Sequence, residues 1–172
     1  VWVPIDGTRG VVAGTPTWGV LSAACDVEGP QLGRIDQPYI GERFMGGAGR
    51  SVMTGPLGET PLAVRGTDDL GDATILTTFP EVGTLEDRRA FEAVALRCRL
   101  TRYGMDCYGY ALLAAGHVDL VIEAGLQSYD IAAPIAVIEA AGGIVTDWSG
   151  GPVHEGCRAL SAATPALHAQ AM

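Results

Sequence analysis

The spacing of apolar positions changes along this 172-residue chain. Thr17 to Val27 (TWGVLSAACDV) is apolar and carries Val, Leu and Trp, the make-up of a buried strand. Gly41 to Gly55 (GERFMGGAGRSVMTG) falls into short runs divided by Gly-rich turns, which predicts antiparallel strands. A charged, Gly-containing link from Arg65 to Asp72 follows, then a strand over Ala73–Phe79 that Pro80 ends. Beyond it the period lengthens. Leu85, Phe91, Val94, Ala95 and Cys98 recur at helical spacing, with charges between them, and predict an amphipathic helix over Leu85 to Arg99. Asp106 to Ala115 reads as a second helix opened by an acidic cap. Asp130 to Ala141 reads as a third, with Asp130 at its N-terminus and Gly142-Gly143 stopping it. His117–Glu123 and Ile144–Trp148 have strand character. Strands first, and alternating strands and helices afterwards, predict a layered α/β fold rather than a bundle or a sandwich of sheets alone.

Composition narrows the function. The chain is long enough for one domain with a sizeable core. Its formal charge is −9, and all 11 cations are arginine. Nucleic acid and anionic membranes both need clustered positive charge, so neither is expected as a partner. No apolar stretch is long enough to span a bilayer, and no basic region precedes an apolar one as in a signal peptide. Cys25, Cys98, Cys107 and Cys157 lack C-x-x-C spacing and read as scattered buried thiols, with a reducing cytoplasm as the corollary. The chain has no initiator Met and its first motif starts at position 3, so it is read as the C-terminal part of a longer protein.

Two acidic motifs carry the chemistry. Pro4-Ile5-Asp6-Gly7-Thr8 stands near the start, and Tyr129-Asp130-Ile131-Ala132-Ala133-Pro134 runs on through Glu139-Ala140-Ala141-Gly142-Gly143. A carboxylate followed by Gly and a hydroxyl residue can hold a hard cation and offer backbone N–H groups to an anion. Taken alone, Asp6-Gly7-Thr8 is also an ordinary turn and Asp130 an ordinary helix cap. Glu139, nine residues into the helix, lies on the far side from Asp130 and reads as structural or solvated. His117, His154 and His168 have no ligand-like spacing and read as surface or packing residues.

Together the two motifs resemble the signatures D-P-[IL]-D-G-T and W-D-x-A-A…E-A-G-G of the inositol monophosphatase family. The resemblance runs from Trp2 to Gly151. It implies a layered α/β/α/β/α sandwich with the first helices missing, as one incomplete domain over 1–172, residues 1–80 forming the mainly antiparallel half and 81–172 the α/β half. It also implies Mg²⁺-dependent hydrolysis of a small phosphomonoester and leaves room for a homodimer. Asp6, Asp130 and the Ile5 carbonyl would ligate Mg²⁺. Gly7 and Thr8 would hold the phosphate, with the Thr8 hydroxyl near the attacking water. Val3 stands where the family carries a metal-bridging Asp, and the segment bearing a further family Glu lies upstream of this sequence.

Within the family, the chain is most similar to the histidinol-phosphate phosphatase branch. The supporting stretches are Tyr103-Gly104-Met105-Asp106-Cys107-Tyr108-Gly109-Tyr110, Leu112 through Leu126, Tyr129-Asp130, and Gly14-Thr15-Pro16-Thr17-Trp18-Gly19. A substrate with a protonated amine and an imidazole needs acidic partners, and Asp106 and Glu123 are the candidates. The alternatives are an inositol-1-phosphate or broad-specificity sugar phosphatase, and a non-catalytic phosphate-binding homologue.

Overall fold

The structure is a computed structural model describing residues 1–172. Its first third is a six-stranded antiparallel meander: β1 (Trp2–Asp6), β2 (Gly19–Asp26), β3 (Gly29–Gln37), β4 (Glu42–Gly47), β5 (Arg50–Gly55) and β6 (Gly58–Pro61), paired in chain order. A short helix, α1 (Thr8–Ala13), interrupts it between β1 and β2. The remainder builds a mixed five-stranded sheet from β7 (Thr74–Thr77), β8 (Leu100–Tyr103), β9 (Leu120–Gln127), β10 (Ile144–Thr146) and β11 (Gly156–Ala162), in the order β10-β11-β9-β7-β8. In it β7 runs parallel to β8 and β9, whereas β11 runs antiparallel to β9 and β10. Four helices complete the fold: α2 (Leu85–Ala95), α3 (Asp106–Ala114), α4 (Ser128–Ala140) and α5 (Pro165–Ala171).

Burial sorts these elements into layers. One core joins Leu21, Ile35 and Phe44 of the first sheet, the inner faces of α3 and α4, and Leu76, Val121 and Ala159 of the second sheet. A second core lies on the other face of that sheet, where Phe91 of α2 and Leu167 of α5 meet Ile75, Leu120, Ile122 and Leu160. The order is therefore sheet, α3/α4, sheet, α2/α5. This is the expected layered α/β sandwich without the outermost helical layer. Strand alternation sends Leu120 and Ile122 of β9 to the outer core, and Val121 to the middle layer; Glu123 falls on that same inner side.

The middle layer is tight. A Cβ on Gly33 would lie 2.3 Å from the Ala133 carbonyl oxygen, and one on Gly46 would lie 2.4 Å from the Val137 Cα. Two glycines thus let the backbone of α4 rest on β3 and β4, and Ala132, Ala133 and Ala136 supply small side chains on the helix.

Several expectations are corrected. The helix from Leu85 ends at Ala95 rather than Arg99, because the chain turns there to start β8. Its first residue, Leu85, is exposed, and a reciprocal Thr84–Asp87 capping box opens the helix. The third strand, Gly29–Gln37, has no counterpart in the sequence reading. The strand expected from His117 begins at Leu120, and that expected over Ile144–Trp148 ends at Thr146. Cys107 is buried and Cys98 half-buried, but Cys25 and Cys157 are exposed, contrary to a wholly buried set. No helix is long and apolar enough to cross a membrane.

Candidate functional site

Asp6 ends β1, where the pairing with β2 slips between Val3 and Asp6, so that Pro4 and Ile5 fall in a bulge. Gly7 follows with φ +83 and leads into α1. A side chain at this glycine would be strained, and its Cβ would meet the Asp106 carboxyl group at 3.0–3.1 Å. The glycine is therefore required by the approach of Asp106 itself. Thr8 is exposed at the first position of α1, where helix N–H groups lack intrahelical partners.

Asp106 comes from the start of α3 and does not cap it. The cap position is Met105, with no side-chain hydrogen bond, and Asp106 has φ +46. That left-handed backbone is uncommon outside glycine. It turns the carboxylate toward Gly7, where the Thr17 hydroxyl donates to Oδ2 at 3.4 Å. The next backbone N–H, from Cys107, donates to Asp6 Oδ2 at 2.9 Å. One turn of α3 thus fixes two acids about 100 residues apart in sequence.

Asp130 sits two residues into α4, in a capping box in which Oδ2 accepts the Gln127 N–H at 2.8 Å. The helix-capping role and the candidate ligand role coexist here, since capping occupies only one oxygen. Glu123, the fourth of the eight residues of β9, is buried. Oε1 accepts the Thr78 N–H at 2.6 Å and the Thr78 hydroxyl at 2.8 Å, and Oε2 accepts the Thr77 hydroxyl at 3.1 Å. Thr77 ends β7 and Thr78 follows it, and Glu123 lies just past Leu120 and Val121, the residues of β9 that pair in parallel with β7; the carboxyl ends of parallel strands are a usual place for ligands in α/β sheets.

The acids influence one another. Burial raises the Asp106 carboxyl above its ordinary range, and Asp6 raises it further. Burial also raises Asp130; the Gln127 N–H opposes the rise and Asp6 adds to it. Glu123 is pushed up to about 7 by burial, against its three donors, with Asp106 adding to the shift. The guanidinium of Arg9 counters the charge on Asp106 and also lies 4.2 Å from the Phe79 ring centroid.

These observations test the fit to a metal. The hydrogen bonds to Asp6 and Asp130 occupy one oxygen of each, and the donor set is all oxygen, which suits a hard divalent cation. No three His, Cys, Asp or Glu side chains stand close enough to hold an ion unaided. Val3 packs against the apolar core and offers no donor. The residues fit an ion held by a few protein oxygens with water completing its shell, as Mg²⁺ prefers. A cavity of about 400 Å³ lies apart from the acids, between α2 and α5.

The structure thus brings Asp6, Gly7, Asp106 and Asp130 into one neighbourhood and places Glu123 beside it, buried. Glu139 is exposed at the end of α4. His117 is exposed, and His168 pairs with Thr146 at 2.7 Å. Sequence reasoning missed Thr17, Thr77, Thr78 and the Cys107 N–H. The Thr15-Pro16-Thr17 and Thr77-Thr78 runs were the available signals, being hydroxyl residues beside a motif and at a strand end.

Comparison with known proteins gives the class to which this layered α/β sandwich belongs. The profile of the inositol monophosphatase family matches residues 1–172, and the chain belongs to that family. It is 44% identical over 152 residues to the bifunctional phosphatase IMPL2, chloroplastic, of Arabidopsis thaliana, covering 87% of this chain and 43% of that protein. It is 32% identical over 155 residues to the histidinol-phosphatase of Chlorobaculum parvum, covering 87% of this chain and 58% of the relative. The chain therefore spans roughly half the length of these two relatives. Among solved structures, an inositol monophosphatase from Zymomonas mobilis superposes with a TM-score of 0.93 at 36% identity, over 99% of this chain and 67% of that one.

Proposed function

We propose that this chain carries most of the active site of a Mg²⁺-dependent phosphomonoester hydrolase whose favoured substrate is L-histidinol phosphate, yielding L-histidinol and phosphate. The observation that carries this reading is the gathering of Asp6, Asp106 and Asp130 beside the Gly7-Thr8 turn, from three separate elements. The relative from Chlorobaculum parvum, named a histidinol-phosphatase, supports the choice of substrate. Asp6, Asp130 and the Ile5 carbonyl would hold the ion. When bound, Mg²⁺ supplies positive charge to the phosphate oxygens and makes a coordinated water more acidic.

The remaining work falls to the chain. The N–H groups of Gly7 and Thr8 orient the phosphate. The exposed Thr8 hydroxyl positions the attacking water. The half-buried Asp106 meets the substrate ammonium, and Glu123 adds negative charge behind it. Cys107 and Gln127, through their N–H groups, hold Asp6 and Asp130 in place.

Kinetics on the full-length protein tests the reading. L-histidinol phosphate should be hydrolysed with a higher kcat/KM than inositol 1-phosphate. Asp106→Asn should raise KM for the aminated substrate by roughly 10-fold or more, the worth of a charged hydrogen bond, and leave glycerol 2-phosphate nearly unchanged. Equal losses on both would assign Asp106 to the fold, and faster turnover of inositol phosphate would replace the substrate.

A second reading, a phosphate-binding homologue without turnover, is favoured by one observation, the packing of the partly buried Val3 against the core where an acid would be needed. Phosphate binding without measurable hydrolysis of any of these substrates would establish it.

A further inference from the structure

One cation stands beside the acids and pairs with none of them. Arg9 follows Thr8 on α1 and is exposed. The Asp106 carboxyl group lies against the same turn: a Cβ on Gly7 would lie 3.0 Å from its Cγ, and one on Gly10 would lie 3.4 Å from its Oδ2. Coulomb attraction draws a guanidinium toward a carboxylate so near. Yet the ion pairs of the chain use Arg34, Arg43, Arg65 and Arg158, and arginine hydrogen bonds add only Arg97. The Arg9 guanidinium lies instead over the Phe79 ring, with Cζ 4.2 Å from the centroid. Phe79 follows Thr78, whose N–H and hydroxyl hold Glu123. Arg9 therefore reaches from the turn that carries Thr8 to the chain just past β7.

Stacking decides what this cation can still do. A guanidinium is planar, and its N–H donors point outward in that plane. The ring engages the face and leaves the edge free. It also removes part of the freedom that a long side chain loses on binding. A fixed, unfilled edge suits an oxyanion that can accept two parallel hydrogen bonds, as phosphate does. Thr8 is one Cα step, about 3.8 Å, from the root of this side chain.

We propose that Arg9 is a phosphate-binding residue: held flat on Phe79, its guanidinium edge donates to oxygens of the substrate phosphoryl group and of the phosphate released. This rests on the reading of the Gly7-Thr8 turn as the phosphate site, but not on the identity of the alcohol. Arg9 strengthens the binding of every phosphomonoester alike. Asp106, by contrast, separates aminated from neutral substrates.

Calorimetric titration of the full-length protein with inorganic phosphate, in the presence of Mg²⁺, reads the contact without turnover. Arg9→Gln should weaken phosphate about tenfold, the worth of a charged hydrogen bond. It should raise KM for L-histidinol phosphate and for glycerol 2-phosphate by the same factor, with the melting temperature unchanged. Arg9→Lys keeps the charge without the planar fork, and Phe79→Leu keeps the arginine without its ring; each should weaken phosphate about threefold. Unchanged affinity in Arg9→Gln or Phe79→Leu overturns the proposal, and so does full affinity in Arg9→Lys, which would mean that net charge alone acts. An unmutated protein that binds no phosphate would remove the phosphate site and this contact together, whereas phosphate binding that ignores Arg9→Gln removes the contact alone.

Discussion

Glu123→Gln should change how stability depends on pH. The native carboxyl is pushed up from an ordinary value of 4.5 to about 7, chiefly by burial. An acid raised in the folded state binds its proton more tightly there than in the unfolded chain. Its stabilising effect is therefore complete below about pH 4.5 and is lost as pH climbs through 7. A rise of roughly two and a half units corresponds to about 3 kcal/mol. Asp119 and Asp87 work in the opposite sense. Burial raises both, but Arg65 and Thr74 outweigh it at Asp119, and Thr84 and Arg158 outweigh it at Asp87, so both are held below the ordinary range and favour higher pH. The comparison must therefore be between variants. Urea unfolding of the original protein and of Glu123→Gln from pH 4.5 to 8.5 isolates the one group. The original should lose about 3 kcal/mol relative to the variant between pH 4.5 and 8, spread across the interval from about 4.5 to 7. Parallel curves would mean that Glu123 is ionised throughout and that its threonine donors outweigh burial.

Asp130→Asn keeps the capping bond to Gln127 but removes a charged oxygen, so calorimetry should show Mg²⁺ affinity falling about tenfold or more with little change in melting temperature; unchanged affinity would remove Asp130 from the metal site. Asp6→Asn should weaken Mg²⁺ in the same titration. In the full-length protein, Val3→Asp should raise phosphatase activity by at least about tenfold, and a native protein that already matches its relatives in rate would refute the reasoning. Gly33→Ala should cost about 2–3 kcal/mol in denaturant unfolding, because the new methyl meets the Ala133 carbonyl and α4 must shift; a neutral result would show that the helix has room to move.

What the sequence showed of this fold depended on how plainly each element was punctuated. Gly-rich turns marked β4 and β5, and an apolar run between Asp130 and Gly142 marked α4. Strand β3 escaped notice because Pro30, Gly33, Arg34 and Asp36 interrupt its pattern. Gly33 is there for the approach of α4, a demand made by another element rather than by the strand. Strand β8 went unread because it is only four residues long and mostly exposed, with Arg102 breaking any apolar run. At the site, Asp6 and Asp130 stood out through their motifs. The backbone turn at Asp106 and the burial of Glu123 did not, because both depend on partners about 45 to 100 residues away.

The acids ride on different layers. Asp6 belongs to the first sheet, Asp106 and Asp130 to the helices between the sheets, and Glu123 to the second sheet. Their mutual repulsion is therefore a load across the layers, tending to part them along the seam where α4 rests on Gly33 and Gly46. Whatever neutralises the cluster acts as a clasp on the whole sandwich, and should slow amide exchange in β3 and β4 as well as at the site itself.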